Sequence, residues 1–303
     1  MVIHKTFERG NKMKKMHVPL FLSLGLISFN AFAIGTYTTI ESGITIYSEY
    51  YPNNKTSFKG TVVFENGSGM ALDQWTSSKN FLSCIKKHSS LFFYDRNGLG
   101  NSSVDFKTSV SNPITAELVT TKLIKLLVQL HIPGPYILVG HSYGGVYADY
   151  FARRYPNLVS GLVLVDPTPP HLEFSNAFKK QQAYLESWAA QPNTVVYKEH
   201  TYADEKKSNF MIPSAEVFYQ IKGVAKTRQE LNALSPLPNK IPIIVISSTQ
   251  MESLNPMVGK WFAQQKQYLN TNSKSKAFQV QAHHTIWNDC PELVCSQINK
   301  LEQ

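Results

Sequence analysis

The chain has 303 residues, of which 43% are hydrophobic and 17% charged, and this composition supplies one sizeable apolar core. It contains no internal repeat and no low-complexity array, which excludes solenoid and disordered architectures. The net charge is +9, but residues 1–33 hold five basic side chains against one acidic, so the remainder carries only +5. Without a clustered basic stripe, that balance indicates a solvated surface and no nucleic-acid interface.

Residues 1–33 are predicted to be a signal peptide. Three lysines precede an apolar run, Val18–Phe29, and the small-x-small sequence AFA then ends at Ala33. The run has 12 residues, which as a helix span about 18 Å, well short of a hydrocarbon core of about 30 Å. We therefore expect no stable membrane span, cleavage after Ala33, and a periplasmic or secreted protein of undetermined oligomeric state.

The elements that follow are predicted to begin with a β-hairpin and to continue as strands alternating with helices. The hairpin strands are Gly35–Ile40 and Ile44–Tyr51, joined by a Ser-Gly turn. Further strands are predicted at Thr61–Phe64, Leu91–Tyr94, Tyr136–Val139, Leu162–Val165, Ile241–Ile246 and Ala277–Val280, and helices at Leu72–Lys87, 114–131, Gly144–Tyr155, near Val258–Leu269 and from Pro291. Apolar strands alternating with helices indicate a mostly parallel sheet covered on both faces.

The alternation lapses between Asp166 and Lys240, a stretch too long for a loop within a compact domain. Helical patterns near 173–190 and 214–234 predict a helical lid at residues 167–240, inserted between core segments 34–166 and 241–303. Aromatic side chains recur in it, at Phe174, Phe178, Tyr184, Trp188, Phe210, Phe218 and Tyr219. They either line an acyl pocket or form the core of the lid itself.

The sequence GHSYG at residues 140–144 matches the G-x-S-x-G pattern of a nucleophile elbow. The pattern alone is weak evidence, but here an apolar strand directly precedes it and a helix directly follows. Such a turn projects the hydroxyl of Ser142 above the carboxyl end of the strand, where open α/β sheets bind ligands. Gly140 and Gly144 are expected to avoid collisions with neighbouring backbone. An ordinary glycine-rich turn is the alternative.

Backbone N–H groups near this serine are candidates for an oxyanion hole. Tyr143 follows Ser142 directly, so its N–H is the first predicted donor. The second is expected from the glycine-containing loop Asn66–Met70, where we choose the N–H of Ser68. A plain turn is the alternative for that loop.

A serine hydroxyl becomes a strong nucleophile when a neutral imidazole accepts its proton. The sequence QAHHTI at residues 281–286 follows the last predicted strand and offers His283 or His284, of which His284 is favoured. The acid that orients the imidazole is predicted to be Asp166, directly after a strand. The loop after Ile241–Ile246 has no aspartate and offers only Glu252 as the alternative, and Asp166 could instead merely cap a turn.

Three cysteines remain, at positions 84, 290 and 295. If Cys290 and Cys295 share a helix, about 7.5 Å of rise separates them, which disfavours a disulfide between them. A disulfide from Cys84 to either of the others, or three unpaired buried thiols, are the open alternatives.

From about residue 44 to its end, the chain resembles the α/β-hydrolase superfamily. The sequence ENGSG at 65–69 resembles the oxyanion loop of that family, and YDRNGLGNS at 94–102 resembles its structural turn after the fourth strand. HTI at 284–286, followed by DCPE at 289–292, resembles the catalytic-histidine loop and closing helix. The resemblance implies an α/β fold with a mostly parallel eight-stranded sheet, helices on both faces and a helical lid.

The position of the acid departs from the commonest pattern of the superfamily, which has an aspartate after the seventh strand. Some members place the acid after the sixth strand instead, which supports Asp166. A serine at the elbow argues against the members that use aspartate as nucleophile.

These motifs predict a serine hydrolase that cleaves a small carboxylic ester through an acyl-enzyme, without a metal or cofactor. Its catalytic residues would be Ser142, His284 and Asp166, with backbone donors at Tyr143 and Ser68. Hydrolysis of an amide, a lactone or an N-terminal peptide bond by the same residues is one alternative. A non-catalytic binding protein with the same fold is another.

Overall fold

The computed structural model describes residues 34–170, 215–253 and 260–302. The predicted lid helix at 173–190, and most of the lid aromatics, lie outside these ranges. No helix within them is long and apolar enough to cross a membrane.

Eight strands form one sheet in the order β1-β2-β4-β3-β5-β6-β7-β8. Only β2 pairs antiparallel with both of its neighbours, and β3 to β8 run parallel. The mostly parallel eight-stranded sheet predicted from the sequence is therefore confirmed. The strands are β1 Ile34–Glu41, β2 Ile44–Tyr51, β3 Thr61–Glu65, β4 Ser90–Tyr94, β5 Tyr136–His141, β6 Val159–Val165, β7 Ile243–Ser248 and β8 Lys276–Val280.

The helices of the described ranges lie between these strands and after the last one. They are α1 Asp73–Thr76, α2 Lys79–Ile85, α3 Ala116–Gln129, α4 Gly144–Arg154, α5 Ala215–Ala233, α6 Thr249–Ser253, α7 Trp261–Gln265, α8 Ile286–Asp289 and α9 Pro291–Asn299, with a 3-10 turn at Lys266–Tyr268. One expectation was wrong in detail: residues 72–87 form two short helices, since the chain breaks at Ser77 and Ser78.

Helices cover both faces of the sheet. On one face α3 and α4 pack on the strands through residues such as Leu126 and Phe151. On the other face α1, α2, α8 and α9 pack through a cluster centred on Trp75 and Trp287, whose rings lie 4.1 Å apart. Both tryptophans are fully buried. A third cluster joins α5 to α3 and α4, with Leu231 of α5 among its buried residues.

A disulfide joins Cys84 of α2 to Cys295 of α9, with the two Cα atoms 6.3 Å apart. It therefore links the helix pair that follows the Asn66–Met70 loop to the helix that follows the His284 loop. Cys290 is free and half-buried. Of the alternatives left open by the sequence, the structure has a bridge from Cys84 and none between Cys290 and Cys295.

Strand register brings the ends of β5 and β6 level. His141, the last residue of β5, pairs with Val165, the last residue of β6. Ser142 and Asp166 therefore directly follow the two strands at the same level. Glu65 at the end of β3 pairs with Gly140, which places the loop after β3 on the other side of the same elbow. The parallel sheet thus gathers the candidate residues at its carboxyl edge.

Candidate active site

Ser142 occupies a tight turn between β5 and α4. Its φ of 53° lies in the left-handed region that residues with a side chain rarely adopt. The turn is fixed by a hydrogen bond of 3.2 Å from the Ser142 N–H to the carbonyl of Val165. The residue is half-buried, so its side chain is not packed inside the core. This strained strand-to-helix geometry is that of a nucleophile elbow.

Two glycines permit the close approaches that this turn requires. A Cβ on Gly140 would lie 2.7 Å from the carbonyl oxygen of Gly144. A Cβ on Gly144 would lie 2.6 Å from the carbonyl oxygen of Glu65 and would also collide with that of Asn66. These contacts are with backbone, which cannot rotate away. The glycine pattern therefore brings α4 directly against the loop after β3.

The carboxylate of Asp166 is completely buried and accepts hydrogen bonds on both oxygens. Its Oδ1 accepts from the N–H of Ser248 (3.2 Å), from Nε1 of Trp261 (2.8 Å) and from Nε2 of Gln265 (3.0 Å). Its Oδ2 accepts from the hydroxyl of Ser248 and contacts the ring of His284. These hydrogen bonds fix the orientation of the carboxylate.

His284 lies against this carboxylate, with Nδ1 2.7 Å from Oδ2 of Asp166. Its backbone N–H donates to Oε1 of Gln250 at 2.7 Å, which ties its loop to α6. The neighbouring His283 is directed elsewhere, with Nδ1 3.0 Å from Oδ2 of Asp289 and a side chain that is 73% exposed. The structure therefore brings together Asp166 and His284, and leaves His283 apart.

The alternative acid, Glu252, has a different partner. Its Oε2 accepts from the N–H of Phe262 at 2.8 Å, so it connects α6 to α7. Ser248 at the end of β7 thus supports Asp166, and Gln250 of α6 holds the His284 backbone.

His141 connects the elbow to the His284 loop. Its Nε2 lies 3.2 Å from the carbonyl oxygen of His284, and the two imidazole rings are 4.5 Å apart. Burial lowers the pKa of His141 well below its usual value, so the ring is neutral. Because a carbonyl can only accept, we assign the proton to Nε2. The residue directly before Ser142 is thus hydrogen-bonded to the His284 loop.

The loop after β3 passes beside Ser142 and presents one free amide. A Cβ on Gly67 would lie 3.5 Å from the Cβ of Ser142. The N–H of Gly67 donates to Oε1 of Gln74 at 3.4 Å, and that of Gly69 donates to Oε2 of Glu216 at 3.0 Å. The N–H of Ser68 between them has no acceptor among the residues of 34–170, 215–253 and 260–302.

The N–H of Tyr143 also lacks a hydrogen-bond acceptor within the described ranges, because the first hydrogen bonds of the α4 turn are donated by Gly145 and later residues. The amides predicted from the sequence, at Ser68 and Tyr143, thus both lack an acceptor within the described ranges.

A buried ion pair lies behind the loop after β3. Arg96 donates through Nε to Oε1 of Glu216 (2.8 Å) and through its terminal nitrogens to the carbonyls of Asn66 and Gly67 (2.7 Å each). Glu65 lies 3.7 Å from the same guanidinium. Burial raises the pKa of Glu65 to about 7, although Arg96 opposes that shift.

Sequence reasoning missed the role of Glu216, because it lies on α5, far along the chain from the loop that it contacts. It also missed Ser248, Trp261 and Gln265, which hold Asp166. The sequence signal for Arg96 is the motif YDRNGLGNS in the turn after β4, which indicates a structural role and does not specify its partners.

Two clefts flank α5. One is lined by residues of β2, α3 and the turn after β4, including Ile46, Lys122 and Tyr219. The other lies beside the elbow and is lined by Tyr143, Thr168 and residues of α5. Among the described residues, no group of three His, Cys, Asp or Glu side chains is arranged to hold a metal ion.

The family model for the alpha/beta hydrolase fold matches residues 60–235 of the chain. The chain therefore belongs to the α/β-hydrolase fold family, and the resemblance noted in the sequence is confirmed.

Curated relatives are distant. An uncharacterized protein of Schizosaccharomyces pombe, C23C11.06c, is 24% identical over 88% of this chain and 55% of its own length. The uncharacterized protein YqjL of Bacillus subtilis is 25% identical over 77% of this chain and 80% of its own. The sn-1-specific diacylglycerol lipase ABHD11 of Danio rerio is 34% identical, over 37% of this chain and 33% of its own. The chain thus spans about half the length of the S. pombe relative, and less of the lipase.

Solved structures show the same fold. An epoxide hydrolase, CorEH, superposes with a TM-score of 0.64 and 16% identity, over 89% of this chain and 98% of its own. A thermophilic esterase from Thermogutta terrifontis superposes with a TM-score of 0.61 and 20% identity, over 89% of this chain and 97% of its own. At these identities the likeness establishes the fold, and the family indicates a hydrolase.

Proposed function

We propose that the protein is a serine hydrolase that cleaves carboxylic esters through an acyl-enzyme. The observation that carries the proposal is the hydrogen bond of 2.7 Å between His284 and the buried Asp166. It lies at the sheet edge where Ser142 occupies a strained elbow. Asp166 holds the Nδ1–H of His284, so that the lone pair on Nε2 accepts the proton of the serine hydroxyl.

In the first half of the reaction, Oγ of Ser142 attacks the ester carbonyl carbon while Nε2 of His284 takes the hydroxyl proton. The carbonyl oxygen becomes negative and accepts hydrogen bonds from the N–H groups of Tyr143 and Ser68. The bond to the alcohol oxygen then breaks, and His284 returns the proton to that oxygen. The alcohol leaves, and the acyl group stays on Ser142.

In the second half, His284 removes a proton from water as the water oxygen attacks the acyl carbon. The same two amides stabilise the second oxyanion. Collapse breaks the bond to Oγ of Ser142, which takes back the proton from His284, and a carboxylic acid is released. Water is the only co-reactant.

The ester class is supported by two similarities and by chemistry. The partial relative from Danio rerio is named as a lipase that acts on diacylglycerol, and a structural neighbour is an esterase. An apolar lid surface over Ser142 would favour short or medium acyl chains. A panel of p-nitrophenyl esters from acetate to laurate tests this preference; equal rates at every length would contradict it.

The reaction itself is tested with the same esters and the Ser142→Ala variant. We expect turnover by the parent protein and a loss of about ten-thousand-fold in kcat in the variant. A stoichiometric acyl adduct on Ser142, trapped with a slowly deacylating ester and located by peptide mass spectrometry, is expected only in the parent. Ester turnover that survives in Ser142→Ala would contradict the proposal.

Two other functions remain as outcomes of this experiment. Turnover of an aryl amide, a lactone or an aminoacyl anilide well above that of esters would favour amide, lactone or peptide hydrolysis by the same residues. Absence of any acyl adduct would favour a non-catalytic binding protein.

We also propose that the protein is exported after removal of residues 1–33. The disulfide between Cys84 and Cys295 supports this, because such bonds persist in oxidising compartments. Recovery of the chain in the cytoplasm with residues 1–33 attached would contradict export.

A further inference from the structure

The oxyanion loop is held on both sides of Ser68 by a single buried ion pair. On one side, Arg96 donates to the carbonyls of Asn66 and Gly67 at 2.7 Å each. On the other side, Glu216 accepts the N–H of Gly69 at 3.0 Å. Arg96 and Glu216 also bind each other at 2.8 Å. The peptide group that carries the Ser68 N–H is therefore held by Arg96 through its Gly67 carbonyl, and the next peptide group is held by Glu216 through its Gly69 N–H.

From these contacts we propose that Glu216 of α5 is a positioning residue, which sets the direction of the Ser68 N–H in the oxyanion hole. This proposal rests on the function proposed above. Glu216 uses both carboxylate oxygens, one on Arg96 and one on Gly69, and its side chain is completely buried. No neutral side chain of the same length can accept on both atoms, because an amide has only one acceptor.

A second contact from α5 reinforces the first. Gln220, one helical turn after Glu216, accepts the hydroxyl of Ser68 through Oε1 and donates through Nε2 to the hydroxyl of Tyr147 at 2.9 Å. Both α5 side chains are almost fully buried. The helix thus contacts the oxyanion loop at the backbone of Gly69 and at the side chain of Ser68.

The charge of Glu216 is balanced where an oxyanion would develop. An isolated carboxylate behind the loop would repel that negative charge. Here Arg96 neutralises it, while the other neighbouring carboxyl, Glu65, is buried with a pKa raised to about 7. The arrangement therefore orients the Ser68 amide without adding a net negative charge at acidic pH.

The test is the Glu216→Gln variant, compared with Glu230→Gln on the same helix. Glu230 also accepts a backbone N–H, that of Glu117 at 3.0 Å, but at the start of α3 and away from the oxyanion loop. We expect Glu216→Gln to lower kcat about 10- to 100-fold, since misaligning one oxyanion donor costs part of the 100- to 1,000-fold effect of deleting it. KM should change less than about threefold, because the effect is confined to the transition state.

An alkyl boronic acid separates positioning from stability. Its adduct with a serine places a negatively charged oxygen in the oxyanion hole, so its Ki should rise in Glu216→Gln by the same factor as kcat falls. Glu230→Gln should keep the Ki and kcat of the parent within about twofold, even where its Tm falls. Hydrogen exchange of the 66–70 peptide should also be faster in Glu216→Gln than in Glu230→Gln.

The outcomes are distinct. If the parent hydrolyses esters and Glu216→Gln keeps its kcat and boronate Ki, the positioning role is wrong while the proposed function stands. Loss of activity in both variants in proportion to Tm would likewise contradict positioning. A parent without turnover would overturn both proposals. Should Glu216→Gln fail to fold, Gln220→Met is the replacement variant, because it keeps the side-chain volume. It is expected to lower kcat about three- to tenfold and to raise the boronate Ki by the same factor. An unchanged kcat in Gln220→Met would contradict the coupling between α5 and the oxyanion loop.

Discussion

Asp166 and His284 are held by the end of β7 and by the segment that follows it, whereas the loop after β3 is held by the turn after β4 and by a helix outside the sheet. The carboxylate of Asp166 accepts hydrogen bonds from Ser248 at the end of β7 and from Trp261 and Gln265 of α7. The oxyanion loop depends instead on Arg96 and on Glu216 of α5. The proposed acid–base side thus rests on core residues, and the proposed oxyanion side is shared with a helix in the segment between β6 and β7.

The proposed site therefore has two parts that are held by different elements. The proton-transfer pair is fixed by strand register, which tolerates little change. The proposed oxyanion donor at Ser68 is coupled to α5. A change in the contacts of this helix would therefore also affect stabilisation of the transition state. The following predictions test the two sides separately.

The largest effect is expected from Asp166→Asn. An amide can present its NH2 group to Nδ1 of His284, which would favour the wrong tautomer and leave Nε2 without a lone pair for the serine proton. We expect kcat to fall about ten-thousand-fold, with KM changed little. Glu252→Gln is the matched control and should retain kcat within about twofold. Equal losses in the two variants would contradict the assignment of the acid.

The second prediction concerns the disulfide between α2, which follows the Asn66–Met70 loop, and α9, which follows the His284 loop. The double variant Cys84→Ser/Cys295→Ser should lower the free energy of unfolding by about 2–5 kcal/mol, because the bridge closes a long loop. Urea unfolding measures this change. Cys290→Ser, at the free cysteine, should leave stability within about 0.5 kcal/mol of the parent. Since the bridge joins α2 to α9, and neither helix supplies a candidate catalytic residue, kcat of the folded double variant should be unchanged.

The sequence was sufficient to predict the sheet, the elbow and the residues that the sheet edge gathers, because all three follow from local patterns. Apolar strands, glycine spacing and position in the chain predicted Ser142 at the elbow and Asp166 and His284 at the same edge of the sheet. The sequence was not sufficient for the contacts that hold them. Glu216 and Arg96 are 120 residues apart, and nothing in either local pattern specifies their pairing. The disulfide partner of Cys84 was open for the same reason.

The third prediction tests the junction between the two sides. Gly144→Ala puts a methyl group against the carbonyls of Glu65 and Asn66, so the elbow and the oxyanion loop must separate. We expect a loss of about 1–3 kcal/mol in stability and a fall in kcat. Gly43→Ala has open space around the new methyl group, though its φ is +75°. It should cost about 1 kcal/mol and leave kcat unchanged, so a similar kcat in both variants would contradict the steric argument.

The smallest effect expected is a dependence of stability on pH. Burial raises the pKa of Glu65 to about 7 and that of Asp95 to about 6 in the folded protein. An unfolded chain releases these protons near pH 4–4.5, so between about pH 4.5 and 7 the folded state binds more protons. Stability should therefore fall as pH rises through this range. Thermal unfolding of Glu65→Gln should show a shallower fall; an identical slope would contradict the shift.

The central claim is that His284 activates Ser142, and reaction with a fluorophosphonate tests it most directly. Only an activated serine reacts rapidly with this probe, and peptide mass spectrometry locates the label. We predict labelling of Ser142 in the parent and in His283→Ala at similar rates, and a rate at least about a thousandfold lower in His284→Ala. Labelling at another residue, or equal rates in the two histidine variants, would contradict the account.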